Sequence, residues 1–387
     1  MKRGVFAVAD VKKGERLLTI PEAAVVGPNY LTRYANGGNA TDENSTDGRA
    51  ADGEHTGGDI MSDWLKTTIS MMLIMAEQKN GKGERRWGIG METYFESLPL
   101  DYSTIMDWSD AEISELEGTD LHAAVKEDRA NGNFEKGWRT NVSPVIDGLL
   151  KRGIINPAER ELLTFELFTK ASKAVVTRGF NYGDATTAAV SPNSTCGPFM
   201  IPLVDMLNHS SSPSHRSTTL KRDPASGCFY MDASRDVKSG AELLHAYISA
   251  GSNDEMLRTY GFVDDAPEIC TPKRVGKGAI VGACERAYLG CLVSLALLKL
   301  SEDLSLAYPT TMKDDEELLS SPDLTQRLRC AATVRLEEKR ALLILKKAAL
   351  KALHYEEDEE EEKGGEGKEG DNHGGEGGNK TKRIKLF

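Results

Sequence analysis

The sequence predicts an α+β chain: a mostly β core, interrupted by a helical insert and followed by an all-α C-terminal domain. Three observations carry this. Strand-like runs occupy residues 4–27 and 198–248. Apolar residues at helical spacing fill most of what lies between them. After Asp264 the pattern turns helical again, until the composition becomes acidic and glycine-rich at Glu356.

In chain order, "GVFAVAD" and "RLLTIP" flank "VKKGE", a turn signal between two strands. Residues 36–59 are Gly, Asn, Asp and Thr with almost no apolar content, which predicts a disordered loop. Residues 62–78 predict an amphipathic helix with Leu65, Ile69, Met72, Leu73 and Ala76 on one face. Residues 84–150 are mostly helical. Ser109 with Glu112 three residues on reads as a capping box. Asn156 caps a further helix, with Pro157 at its first position and Glu159 in its first turn. The later strands are "FMIPLVDML", "STTLKRD", "CFYMDAS" and "AELLHAYI", with turns at "DPASG" and "DVKSG". "AYLGCLVSLALLKL" reads as a buried helix, and "VRLEEKRALLILKKAALKALHY" as a long amphipathic one. The expected boundaries are 1–264 for the first domain, with its helical insert at about 60–177, then 265–355 for the helical domain and 356–387 for a disordered tail.

Composition excludes several classes. No apolar run approaches the roughly 18–20 residues of a membrane span. The opening "MKRGVFAVADVKKGE" is no signal peptide, and it begins as a strand at once, as if natural sequence preceded it. The net charge of −12 has no basic stripe within it, which disfavours nucleic acid as a partner. The six cysteines form no CxxC pair, so a zinc ribbon is not expected, and Cys284 and Cys291 read as core thiols. Free thiols favour a reducing compartment, cytoplasmic or nuclear. "KTKRIKLF" reads either as a nuclear import signal or as part of a solvated tail. "GKGAIVG" at 276–282 lacks the Lys-Ser/Thr ending of a phosphate loop and reads as a linker.

Four pieces could form one site: "RGVFA" at the start, "TRGF" at 177–180, "DMLNHS" at 205–210, and "AYISAGSNDEMLRTYGFV", which sets Tyr247 and Tyr260 thirteen residues apart. Singly, each has a plainer meaning. His209 would be a core histidine, Tyr247 a strand-end aromatic, Arg178 a surface ion-pair partner. Asp205 and His209 at i, i+4 would be two metal ligands without a third, so no metal is expected.

Taken in order, these pieces resemble the SET-domain protein methyltransferases, in the subgroup similar to Rubisco large-subunit lysine methyltransferase. "KRGVFAVADVKKGERLLTIP", "YFESLPLDYSTIMDWSDAEISELEGTDL", "LVDMLNHS" and "AYISAGSNDEMLRTYGFV" carry the resemblance. So does "TTMKDDEELLSSPDLTQRLRCAATVRLEEKRALLIL", which is similar to that subgroup's C-terminal substrate-binding domain. Two positions depart from the pattern: Lys2 stands where the family has a second glycine, and "AYI" stands where "SYG" is commoner.

The resemblance implies S-adenosylmethionine as cofactor and a lysine-bearing protein as substrate, with the chain a monomer. Tyr247 matches the catalytic tyrosine. Arg3, Gly4, Arg178, Asn208, His209, Tyr247 and Phe262 match cofactor contacts, Arg178 on the cofactor carboxylate and Phe262 on its adenine. Phe180, Asp205 and Tyr260 match the substrate side. A chloroplast location is open if sequence precedes Met1. Elementary chemistry agrees. Methyl transfer needs a neutral amine although lysine's reference pKa is about 10.4, and an apolar channel lowers it by desolvation. Alignment does the rest. Two other functions stay open: a histidine methyltransferase, against which "TYGF" argues, and an inactive adaptor of the same fold.

Overall fold

The computed structural model describes residues 4–35, 61–80, 92–99, 102–182, 196–223, 225–248, 252–264 and 290–353. Arg3, the loop 36–59, the segment 276–282, Cys284, the Cys291 side chain and the tail 356–387 lie outside the described residues.

The β part consists of small sheets. β1 (Val5–Phe6) pairs antiparallel with β8 (Glu242–His245), and β5 (Asn208–His209) pairs parallel with β8 on its other side. β2 (Arg16–Ile20), β7 (Phe229–Ala233) and β6 (Thr218–Arg222) form an antiparallel sheet in the order β2-β7-β6. β3 (Phe180–Tyr182) pairs with β4 (Cys196–Phe199). The inward residues Ile20, Phe229, Met231 and Leu243 share one core with Ile201, Val204 and Leu207, as the two-residue period of a strand requires.

The expected strand "FMIPLVDML" ends early. Only Cys196–Phe199 is strand; Val204–Met206 forms a 3-10 turn. Pro202 has no N–H for a ladder, and Leu203 takes a left-handed φ of 69°, which no strand continues. That turn lifts Asp205 out of the sheet, so Asp205 and His209 do not share a helix.

The insert packs around the helix Asp63–Asn80. It is not the one-faced helix its spacing predicts. Ile69, Met71, Met72 and Ile74 are all fully buried, and so are Thr67, Thr68 and Ser70. Helix Phe165–Arg178, helix Pro157–Leu162 and β4 close around it. Two of the buried hydroxyls bond back to their own helix, Thr68 to the Trp64 carbonyl at 2.8 Å and Ser70 to the Lys66 carbonyl at 2.8 Å, while Thr67 donates to the Pro198 carbonyl of β4 at 2.9 Å. Such bonds let polar residues sit in a core. Both expected caps form: the Ser109–Glu112 capping box opens Asp110–Ser114, and Asn156 with Glu159 opens Pro157–Leu162.

Among the described residues of the strand region 198–263 lies an α-helix, Asn253–Tyr260, ended by Gly261 at φ 79°. It carries Tyr260 to the site. Among the described residues three further helices follow: Gly290–Ser305, Met312–Leu319 and the long Gln326–Ala352. Cys330, Ala331 and Val334 of the long helix pack on Leu257 and on Trp108, Ile113 and Leu116 of the insert. The helix Gly290–Ser305 is not buried throughout, as its composition predicts. Ser294 and Leu297 face inward, but Leu295 is 41% exposed. Its apolar residues exceed the one stripe that Leu345 and Ala349 cover. Among the described residues no helix is long and apolar enough to cross a membrane.

Candidate active site

Two cavities lie beside the ends of β5 and β8. The larger holds about 1190 Å³ and is lined by Gly4, Asn208, Met206, Tyr102 and Phe262 among others. The smaller holds about 430 Å³ and is lined by Phe180, Arg216, Thr218 and His245 among others. Thr177, Arg178, Asp205, Tyr247 and Tyr260 line both, so the two cavities meet at these five side chains.

Tyr247 follows β8 directly. Its hydroxyl donates to the Leu207 carbonyl at 2.6 Å, and its backbone N–H donates to His209 Nδ1 at 3.0 Å. Its ring lies 5.0 Å from Tyr260 and 6.4 Å from Phe262, centroid to centroid. Burial pushes the Tyr247 and Tyr260 hydroxyls each up to about 12. Both therefore stay protonated and uncharged near neutral pH, and can donate without carrying charge.

Arg178 is the last residue of the helix Phe165–Arg178. A cation at a helix C-terminus suits the dipole there. Its Nη1 donates to the Asp205 carbonyl at 3.0 Å and to Asp205 Oδ2 at 3.2 Å. The Asp205 side chain is wholly buried. Tyr94 also donates to Oδ2, at 3.1 Å, while Oδ1 has no hydrogen-bond partner among the described residues. Burial raises the Asp205 carboxyl's pKa; Arg178 and the Tyr94 hydroxyl oppose that rise. The pair is thus a buried ion pair with one acceptor to spare, set where both cavities meet.

Gly4 precedes β1 and lies against β8. A Cβ there would collide with the Glu242 carboxyl and press on the Asn208 amide, which is a reason for glycine at this position. Asn208 Nδ2 donates to Glu242 Oε1 at 2.6 Å. His209 behaves differently from its neighbour. Its side chain is 4% exposed, with Nε2 3.4 Å from Asp264 Oδ2. Burial lowers its pKa despite Asp264. Its side chain backs Tyr247 rather than walling either cavity.

Every predicted site residue among the described residues is therefore found in one neighbourhood: Gly4, Arg178, Phe180, Asp205, Asn208, His209, Tyr247, Tyr260 and Phe262. Sequence reasoning missed Tyr94, Tyr102, Glu242 and Asp264. Tyr94 and Tyr102 were legible only as insert residues. Glu242 and Asp264 flank quoted motifs, but no spacing ties Glu242 to Asn208 or Asp264 to His209.

The SET domain family model matches residues 2–248. The chain belongs to the SET-domain family. The Rubisco LSMT substrate-binding family matches residues 285–342. The chain is 25% identical over 266 residues to N-lysine methyltransferase setd6 of Salmo salar, covering 67% of this chain and 51% of that protein. It is 21% identical over 410 residues to the chloroplastic ribulose-1,5 bisphosphate carboxylase/oxygenase large subunit N-methyltransferase of Nicotiana tabacum, covering 88% and 74%. The chain thus spans about half the length of the setd6 relative. Among solved structures, the SET domain of LSMT bound to lysine and AdoHcy superposes with a TM-score of 0.60 at 17% identity, over 90% of this chain and 84% of that one. Rubisco LSMT bound to AdoMet gives 0.57 at 18% identity, over the same 90% and 84%. These likenesses establish the fold: a mixed SET core with a helical C-terminal region.

Proposed function

We propose that the chain is an S-adenosylmethionine-dependent protein-lysine N-methyltransferase. The observation that carries this is the meeting of two unequal cavities at Tyr247 and Tyr260. Methyl transfer needs two molecules to enter separately and touch at one point in a fixed line. The family membership, and the names of the relatives, support the same chemistry.

The residues fit the cofactor. The larger cavity offers bare backbone at Gly4, the Asn208 amide group, the face of Phe262 and the Arg178 guanidinium. A carboxylate suits a guanidinium fork. Arg178 spends one nitrogen, Nη1, on both contacts to Asp205, so a cofactor carboxylate would share an already paired arginine. When bound, the cofactor supplies a methyl group activated by a sulfonium.

The chain's own residues do the rest. Phe180, Tyr247 and Tyr260 wall the smaller cavity, where a lysine side chain loses water and its amine becomes easier to deprotonate. Asp205 Oδ1, buried and unpaired, accepts an N–H from whichever amine arrives beside it. Arg178 offsets the charge of that carboxylate, which would otherwise favour the protonated amine. The Tyr247 hydroxyl and the Leu207 carbonyl, already hydrogen-bonded at 2.6 Å, fix one side of the transfer line. The lysine ammonium gives its proton to solvent before transfer, so the displacement itself needs no charged base, and the methylated nitrogen takes on the positive charge that the sulfonium loses.

Isothermal titration of S-adenosylmethionine into the full chain tests this, wild type beside Asn208→Ala. Asn208 bonds Glu242 and lines the larger cavity. Binding by the wild type, weakened about tenfold or more in the variant, is expected. A wild type that takes up no cofactor would remove the proposal.

A further inference from the structure

His209 is held from two sides. Its Nδ1 accepts the Tyr247 backbone N–H at 3.0 Å, and its Nε2 faces Asp264 Oδ2 at 3.4 Å. A ring nitrogen that accepts from a backbone N–H carries no proton itself. The imidazole is therefore the Nε2–H tautomer, with its proton toward Asp264. The Tyr247 backbone N–H leans on one nitrogen of that ring, and the other faces the Asp264 carboxylate across 3.4 Å, a charge contact.

Asn253 decides where Asp264 stands. It is fully buried, at the start of the helix Asn253–Tyr260. Its Oδ1 accepts the Asp264 N–H at 2.7 Å, and its Nδ2 donates to the Asp264 carbonyl at 2.8 Å. One amide thus grips both backbone groups of a residue eleven positions on, and closes the turn that carries Tyr260 and Phe262. Nδ2 also donates to Glu337 Oε1 at 2.6 Å. Glu337 belongs to the long helix Gln326–Ala352, and it reaches this amide from the C-terminal helices. Asp264 Oδ2 receives in addition the Ser211 N–H at 2.9 Å, just past β5.

We infer that Asn253 is a positioning residue for the transfer: it ties the C-terminal helices, through Glu337, to the Asp264–His209–Tyr247 chain that sets the Tyr247 backbone. This rests on the methyltransferase function proposed above, since Tyr247 matters only if transfer occurs beside it. Partners that orient a directly acting side chain govern its geometry as firmly as packing does. Asn253 touches neither cavity wall, so its effect must pass through the residues it holds.

Two readouts on the full chain test the inference. The first is the ring ¹⁵N shifts of His209, assigned by difference against His209→Asn. The second is the Kd for S-adenosylhomocysteine. Glu337 is only half-buried, so its variants avoid the folding risk of replacing Asn253. Glu337→Gln keeps an acceptor oxygen and is expected to leave both readouts at wild type, with Kd within about twofold. Glu337→Leu removes the acceptor; the His209 signal moves toward a mixed tautomer and Kd rises about five- to tenfold. Asn253→Ala gives the same change, larger, and the double variant is no worse than Asn253→Ala alone. A Glu337→Leu chain of lower Tm with unchanged His209 shifts and unchanged Kd overturns the inference, because Glu337 would then be packing only. A wild type that binds no S-adenosylhomocysteine defeats the methyltransferase proposal instead, and the ¹⁵N shifts still report whether Asn253 controls the ring.

Discussion

At the scale of single residues, the Tyr247 hydroxyl is the group on which the proposed methyl transfer would most depend. It is buried, uncharged near neutral pH and bonded to the Leu207 carbonyl at 2.6 Å. Tyr247→Phe keeps the ring contacts with Tyr260 and His209 and removes only that bond. Stability should fall by about 1 kcal/mol, while kcat for methyl transfer should fall by about 10²-fold or more, the scale of losing one fixed polar group beside a reacting centre. Steady-state kinetics beside thermal unfolding separates the two. Much of this was legible in the chain: Asn208, His209, Tyr247, Tyr260 and Phe262 stand in contiguous motifs whose order marks the site. Their partners were not. Asp264 faces His209, and Tyr94 reaches Asp205, across long stretches of chain. Such pairs exist only once the fold has closed, and no local period encodes them.

At the scale of elements, the long C-terminal helix carries the clearest titration. Glu338 is 7% exposed and accepts the Tyr308 hydroxyl at 2.7 Å. Burial pushes its carboxyl from 4.5 up to about 7, with Asp120 and Asp254 adding to the rise and the Tyr308 hydroxyl opposing it. A raised carboxyl pKa means that the folded chain holds a proton the unfolded chain has lost. Its contribution is complete below about 4.5, and it fades as pH rises through about 7. Glu338→Gln keeps the shape and needs no proton. The variant should match the wild type near pH 4.5 and be more stable at pH 8, by about 3 kcal/mol. Thermal unfolding at the two pH values checks this; equal gains at both would mean the carboxyl does not titrate there. Elements with strong local signals were legible, such as the Ser109 and Asn156 caps. The helix Asp63–Asn80 was misread as one-faced, because its buried Thr67, Thr68 and Ser70 mimic a solvent side. Hydroxyls bonded back to their own helix, as at Thr68 and Ser70, or across to β4, as at Thr67, need no water, and the sequence alone does not show which ones do so.

At the scale of the whole molecule, the C-terminal helices are fastened to the SET core by buried charge as well as by Cys330, Ala331 and Val334. Asp315 is wholly buried. It accepts Arg335 Nη2 at 2.8 Å and Lys339 Nζ at 2.6 Å. Arg335 also donates to the Glu115 carbonyl of the insert, and Arg327 pairs with Glu112 at 2.8 Å. Asp315→Ala would strand two buried cations beside the insert and should cost about 3–5 kcal/mol, seen as a lower denaturant midpoint. A cost under about 1 kcal/mol would mean the cluster is solvated. The fold class and the order of core, insert and helical end were legible, since they follow from hydrophobic period and turn chemistry. The way the parts lock together was not: no spacing pairs Asp315 with Arg335, and only packing makes them a joint.

The measurement that tests the account most directly is transfer itself. The full chain would be incubated with methyl-labelled S-adenosylmethionine and a cell extract, wild type beside Tyr247→Phe, and the modified residues identified by mass spectrometry. Labelled methyl-lysine that depends on Tyr247 is the expected result. Label on histidine, or label on lysine undiminished in Tyr247→Phe, would contradict it.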